Sequence, residues 1–295
     1  MSVRAALALL AAIVPVAGGL AQDVRYLSTD EALSLEHQTR FARMRRIAQE
    51  FGVFPPPEFH DYQVPSSALP PSFPHDVPVL RIVFPENVFF DTASATLKPQ
   101  AQAIVRAMAA MLDGDVPDVT VFVAGHADAR GSDVYNHNLS VERARAVARL
   151  LNDLRQRPGA VWSIGFGKSV PLFPNTSDVN MGYNRRVELL LSARIEAVAT
   201  WLQDQAGDIC RTSDAVERVR CMTDFKRERK IFEAEEVLPA RKVRLAERNI
   251  KVSGATRERA RSSIEGNVQR VEPQGSTRLK IHLNERRIYV KTIEH

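Results

Sequence analysis

Two charged residues frame one loop. In the run from Gly125 to Val147, the acid Asp128 closes a strand written Val119, Val121, Val123, and the base Arg143 follows Ser140. Ser140 reads as an N-cap, so the spacing predicts a helix with Arg143 in its first turn. A cation there opposes the helix dipole at a cost of a few tenths to about 1 kcal/mol, a conflict that a bound carboxylate removes. The guanidinium fork and the free N–H groups of a helix start both favour a carboxylate held in its plane, while Asp128 suits an ammonium. The ligand complementary to both is a zwitterion with an amine and a carboxylate on one carbon, as at the end of an amino-acid side arm. His126 and His137 flank the loop. Their spacing fits neither a helical His pair nor a compact cluster and no Cys lies near, so they read as structural or pocket-lining, with no metal and no cofactor expected.

Elements on either side must hold that loop. Val79 to Phe84 and Val88-Phe89-Phe90 read as strands, and after Pro99, suited to a first helical position, Ala101, Ile104, Val105, Met108 and Leu112 keep helical spacing. Ala144, Val147, Ala148, Leu151 and Leu154 repeat the device, and Val161 to Ile164 and Val187 to Leu191 supply further strands. Strands alternating with helices imply an α/β sheet with helices packed on it.

These residues carry a resemblance. The run GHADARGSDVYNHNLSVERARAV resembles the signature of the OmpA-like C-terminal domain, shared with the peptidoglycan-associated lipoprotein and flagellar stator proteins. Phe89-Phe90-Asp91 with Ala95 to Pro99 is similar to that family's opening strand and helix start. Gly165-Phe166-Gly167 with Pro171 is similar to its later loop, and Asn184-Arg185-Arg186-Val187-Glu188 to its closing strand. The resemblance spans residues 78 to 194 and implies a βαβαβ sandwich with a mixed sheet. It also implies noncovalent binding of peptidoglycan, with Asp128 at the amine and Arg143 at the carboxylate of the diaminopimelate in the peptide stem. Asn136, Leu139 and Ser140 fall at loop positions that shape the same pocket, and Arg186 falls in the closing motif. Ala127 stands where many members carry Thr, removing a hydroxyl from the pocket wall and leaving both charges in place.

Composition assigns the rest of the chain. Residues 1–21, with Arg4, the apolar run Ala5 to Val16 and the small-residue end Gly19-Leu20-Ala21, read as a signal peptide. Export to the periplasm follows, with no transmembrane segment in the mature chain, and no Cys follows the cleavage site to carry a lipid anchor. Residues 22–53 read as a helical segment, with Asp30 to Phe51 a loosely amphipathic docking helix. The Pro-rich residues 54–77 read as an extended tether or edge wrapping, and the whole region before residue 78 is too short for an outer-membrane barrel. An oxidising compartment makes Cys210 and Cys221 an expected disulfide, against the alternative of two separate buried thiols.

Residues 195–295 resemble no family. From Ala206 onward they carry 21 Lys and Arg against 14 Asp and Glu, which exceeds the net +5 of the whole chain. Helices are expected over Ala215 to Val237 and Ala255 to Ile264, and a closing β-hairpin through Leu279, Ile281 and Leu283, turning at Asn284-Glu285 into Ile288 and Val290. Basic charge mixed with acidic is ordinarily a solvated surface, and export argues against a nucleic-acid partner. The expected function is therefore a binding protein, not an enzyme, that tethers the cell envelope or an envelope complex to the cell wall. Other outer-membrane or periplasmic proteins would dock through 22–53 or 195–295. The alternative is a wall-targeted enzyme or periplasmic scaffold whose extension carries the activity or the partner. An enzyme would need a nucleophile with its base, paired carboxylates or a metal, and the extension offers no Cys-His or Ser-Lys motif, with Glu233, Glu235 and Glu236 expected in a charged helix.

Overall fold

Three segments, 120–126, 161–167 and 186–192, are buried at successive rather than alternate positions, as a strand covered on both faces must be. They are the middle of a seven-stranded mixed sheet. The computed structural model describes residues 29–114, 119–157, 159–205, 207–238, 241–244, 268–271 and 277–284. In chain order the elements are α1 (Thr29–Glu50), β1 (Glu58–Val64), β2 (Val77–Pro85), α2 (Glu86–Phe89), α3 (Pro99–Asp113), β3 (Thr120–His126), α4 (Asp133–Leu154), β4 (Val161–Gly167) and α5 (Asp178–Asn184). They continue with β5 (Arg186–Ser192), α6 (Ile195–Gln203), α7 (Ala215–Arg227), β6 (Ile231–Glu236), β7 (Arg241–Arg244), β8 (Val268–Val271) and β9 (Arg278–His282). The sheet order is β1-β2-β5-β3-β4-β6-β9, and β7 and β8 pair separately. Among the described residues only β3 and β4, joined through α4, run parallel.

Side-chain alternation sends two sets of apolar residues in opposite directions. Leu80, Ile82, Val121, Val123, Leu189 and Leu191 meet α1, α3 and α4 through Met44, Ile104, Met108, Val147 and Leu151. On the other face Val79, Phe122, Ile164 and Leu190 meet Val198, Trp201 and Leu202 of α6, Phe225 of α7, and Phe232 and Ile281 of the outer strands. The result is three layers.

The α6 face also buries a set of charges. Arg81 donates to Glu188 from Nε at 2.8 Å and Nη2 at 2.6 Å, and Arg186 Nε donates to Glu188 Oε1 at 2.6 Å. All three side chains are essentially inaccessible. Burial alone would push the Glu188 carboxyl up, but the two guanidiniums hold it well below the usual carboxylate range. Arg81 also lies over the Trp201 ring, 5.1 Å from its centroid. His126, stacked on Phe166, is driven well below its usual range by burial and by Arg186.

Several expected elements change type. Residues 54–77 contain β1, which pairs along its length with β2. The stretch between Pro57 and Pro65 has no proline, so it can hydrogen-bond as an edge strand, and the edge-wrapping alternative describes it better than a tether. Val88-Phe89-Phe90 is not a strand, because Pro85 starts the single turn α2 and the chain becomes extended only at Phe90. The helix expected over 215–237 stops at Arg227. Residues 231–236 instead put Phe232 and Ala234 inward and Ile231 and Glu233 outward, a period-two pattern that the charged composition masked. Glu233, Glu235 and Glu236 thus lie on a strand. The expected hairpin contributes β9, which pairs with β6, while Ile288 and Val290 lie outside the described residues. So do the expected signal peptide and the helix over 255–264. The sheet consequently runs through the boundaries expected at 77 and 194. The cysteines are paired, Cys210 with Cys221.

Two outcomes follow for stability. Glu188→Ala leaves two buried guanidiniums without their counter-charge and should destabilise the fold by about 3–5 kcal/mol, read from the urea midpoint. Glu58 of β1, hydrogen-bonded by His60 and by Arg211 of the extension, has its pKa lowered from 4.5 to about 2. A depressed folded pKa contributes stability that is present above 4.5 and lost as the pH falls toward 2. Glu58→Gln should therefore reduce the loss of stability across that window, measured by denaturation at stepped pH.

Candidate functional site

The helix after the loop starts earlier than the spacing suggests. Ser132, not Ser140, is the N-cap of α4: its Oγ accepts from Tyr135 N at 3.2 Å, after Gly131 at a φ of +82°. Arg143 therefore lies well inside the helix, and the conflict with the helix dipole and the help from free helix-start N–H groups do not apply to it. Ser140 sits mid-helix, donating to His137 O at 2.7 Å and accepting from Gly167 N at 2.9 Å. That bond ties α4 to β4. Gly125 makes the approach possible on the neighbouring strand, since a Cβ there would overlap the carbonyl of Ser140.

The packing brings Asp128 and Arg143 to one cluster through two intermediaries. Asp128 Oδ2 accepts from Arg185 Nη1 at 2.7 Å, and from Arg130 Nε at 3.0 Å and Nη2 at 2.6 Å, while Oδ1 accepts from Arg130 N at 2.9 Å. Arg143 Nη2 donates to Glu86 Oε1 at 2.8 Å, its Nε donates to Ser94 O at 2.8 Å, and its guanidinium lies over the Phe90 ring. Arg185 Nε comes within 3.4 Å of Glu86 Oε2 and closes the row. The order is Asp128, Arg185, Glu86, Arg143, with charge alternating at each step. Asp128, Glu86 and Arg143 are buried, whereas Arg185 is partly exposed and Arg130 mostly so.

The remaining expected site residues have structural partners. Asn136 Nδ2 donates to Arg130 O at 2.6 Å and Asp128 O at 3.3 Å, fixing the loop that presents Asp128. Leu139 is half-buried on α4. Arg186 is fully buried on the opposite face, bound to Glu188 and to Val170 O, so it does not join the cluster. Arg185 does. Extended backbone sends adjacent side chains to opposite sides, and the two arginines beginning β5 are divided accordingly. That alternation is the sequence signal for Arg185, while Glu86 carries none beyond its place after Pro85. Among the described residues no group of His, Cys, Asp or Glu has metal-binding geometry.

A groove of about 380 Å³ opens on the cluster, lined by Glu86, Phe90, Asp91, Lys98, Tyr183 and Arg185. Burial pushes the Asp128 carboxyl up, but hydrogen bonds from Arg130 and Arg185 outweigh it and the net shift is downward from 3.8. Asp128 thus keeps its charge to a lower pH than an unperturbed aspartate does. An NMR titration of its carboxyl carbon should give a midpoint below 3.8, and Arg185→Ala should raise it.

Residues 89–185 match the model of the OmpA family. Outer membrane porin F of Pseudomonas fluorescens is 33% identical over 120 residues, 40% of this chain and 36% of that protein. The probable lipoprotein YiaD of Escherichia coli is 35% identical over 108 residues, 37% of this chain and 49% of that protein. The chain therefore spans less than half the length of these two relatives. Among solved structures, the cell wall anchor of the T6SS from Pseudomonas aeruginosa is 28% identical, covers 39% of this chain and 82% of that one, and has a TM-score of 0.35. Residues 89–185 of this chain are an OmpA family domain.

Proposed function

We propose that this chain binds peptidoglycan noncovalently, through the diaminopimelate of the peptide stem, and so tethers the cell envelope or an envelope complex to the cell wall from the periplasm. The observation that carries the reading is the row Asp128, Arg185, Glu86, Arg143. The inner pair, Arg185 and Glu86, has the polarity of a zwitterion, with a cation on Asp128 and a carboxylate on Arg143. A diamino-acid arm offers the same two charges on one carbon. Its ammonium would take the place of Arg185 at Asp128, and its carboxylate the place of Glu86 at Arg143.

Exchange of one ion pair for another keeps both buried charges compensated. It avoids the penalty of exposing a lone buried charge, and it requires only that Arg185 and Glu86 turn toward the groove they already line. Arg130 is mostly exposed, so exchanging its ion pair with Asp128 for water costs little. Recognition of this kind makes and breaks no covalent bond, so the reading assigns no catalytic residue. The OmpA family domain and its resemblance to peptidoglycan-binding members support the ligand class. No helix among the described residues is long and apolar enough to cross a membrane.

Co-sedimentation with purified peptidoglycan tests the clamp. A charge-assisted hydrogen bond contributes about 1.5–3 kcal/mol, so Asp128→Ala and Arg143→Ala should each weaken binding at least about tenfold. Arg143→Lys should recover only part of the loss, because lysine keeps the charge without the planar fork. Wild-type binding by both alanine variants would remove the clamp from consideration.

A further inference from the structure

A second groove begins beside Asp128. It holds about 570 Å³ and runs between the loop after β4, with Lys168, Asn175 and Thr176, and helix α7, with Val216, Arg220 and Asp224. Ala129, the residue after Asp128, lies at its margin and donates its N–H to Asn175 Oδ1 at 3.2 Å. One wall is therefore supplied by the OmpA family domain and the other by the extension.

The second wall is held in place at several points. Cys210 N donates to Pro171 O at 3.1 Å and Arg211 N to Leu172 O at 2.7 Å, so the chain leading into α7 is bonded to the loop it faces. The Cys210–Cys221 disulfide then fixes the middle of α7 to that segment. Asn284, just beyond β9, donates to Phe225 O at 2.8 Å and to Glu228 O at 3.0 Å at the far end of the helix. A wall anchored this way makes the groove a preformed feature of the fold, of a size typical for ligand sites.

Its lining favours a peptide. Asn175 and Thr176 suit main-chain amides and Arg220 a carboxylate, beside the acids Glu217, Asp224 and Glu228 on the α7 side. The ring of Phe225 is buried beneath the floor and offers no face on which a sugar could stack. Arg220 is exposed and has no hydrogen bond or ion pair among the described residues, whereas Lys168 is engaged with Asp133 at 2.7 Å. Arg220 is thus the cation free to meet a carboxylate.

We propose that this groove is a second subsite for the same wall ligand. It takes the main chain of the peptide stem whose diamino residue is held between Asp128 and Arg143, with a stem carboxylate against Arg220. The inference rests on the clamp reading of those two residues. In this arrangement the extension turns a site for one amino-acid arm into a site for a peptide.

Calorimetry on the full mature chain tests it with two probes, free meso-diaminopimelate and the stem tripeptide L-Ala-D-Glu-meso-diaminopimelate. One added charge-assisted contact should make the wild type bind the tripeptide at least about tenfold more tightly than the free diamino acid. Arg220→Glu, and Val216→Trp at an exposed position on the groove wall, should erase that gain and leave binding of the free diamino acid unchanged. Val219→Trp, exposed on α7 but outside the groove, should change neither. A tripeptide gain that is missing in the wild type, or that persists in both groove variants, overturns the subsite while leaving the clamp standing. If Asp128→Ala keeps wild-type affinity for both probes, or the wild type binds neither, the clamp reading fails and the subsite fails with it.

Discussion

Glu188 lies on an inner strand of the sheet, inaccessible to water, and two equally buried guanidiniums hold its charge. Its two oxygens receive Arg81 from β2 and Arg186 from its own strand, and α6 closes over them with Trp201 against the Arg81 guanidinium. An ion triad of this kind adds little net stability compared with a well-packed apolar core, because desolvation takes back most of the Coulomb attraction. What it does impose is register. A one-residue slip of β5 would carry Arg186 and Glu188 into the apolar layer beneath α3 and α4, and the cost of that error is far larger than the cost of losing any methyl group.

The same register constraint positions the site. With Arg186 committed to Glu188, the preceding Arg185 must project to the other side, where it meets Asp128 from the end of β3 and Glu86 from the turn after β2. Each contributor comes from a different strand end, so the cluster exists only when the sheet is correctly paired. Helix α4 brings Arg143 to it, and the contact of Ser140 with Gly125 and Gly167 fixes how close the helix lies. The chemistry at the surface and the ion triad inside are two consequences of one strand's alternation.

Much of this was readable in the order of residues, and the exceptions have causes. The strands of the OmpA family domain and helices α3 and α4 follow from periodicity, and the pairing of Cys210 with Cys221 agrees with the expectation drawn from an oxidising compartment. The helix start expected at Ser140 lies two turns inside α4, whose N-cap is Ser132. Residues 133–140, expected as loop, are the first two turns of that helix, and the Ser132 cap that marks its start is a matter of side-chain geometry. Alternation along β5 separates Arg185 from Arg186, but the partners Arg185 meets and the role of Glu86 depend on which elements become neighbours, which no local pattern records. β6 was masked because its outward positions are charged, and a strand at that position needs only Phe232 and Ala234 to face inward. Proline density hid β1 in the same way, by drawing attention to the flanks of a segment whose middle contains none.

The position of β6 has a consequence for how the protein is made. β4 is buried along its whole length, yet β6, which pairs with it at Trp162 and Ser163, lies well downstream, after α5, β5, α6 and α7. Until residues 231–236 are available, β4 is an open edge, a row of unpaired N–H and C=O groups flanked by apolar side chains, which is the surface on which strands from other molecules add. Arrival of β6 and β9 replaces that edge with a strand bearing Glu233 and Glu235 and a last strand bearing Arg278 and Lys280. The C-terminal segment is thus an intramolecular guard against edge-to-edge association. Chains that stop short of it present that adhesive edge throughout synthesis.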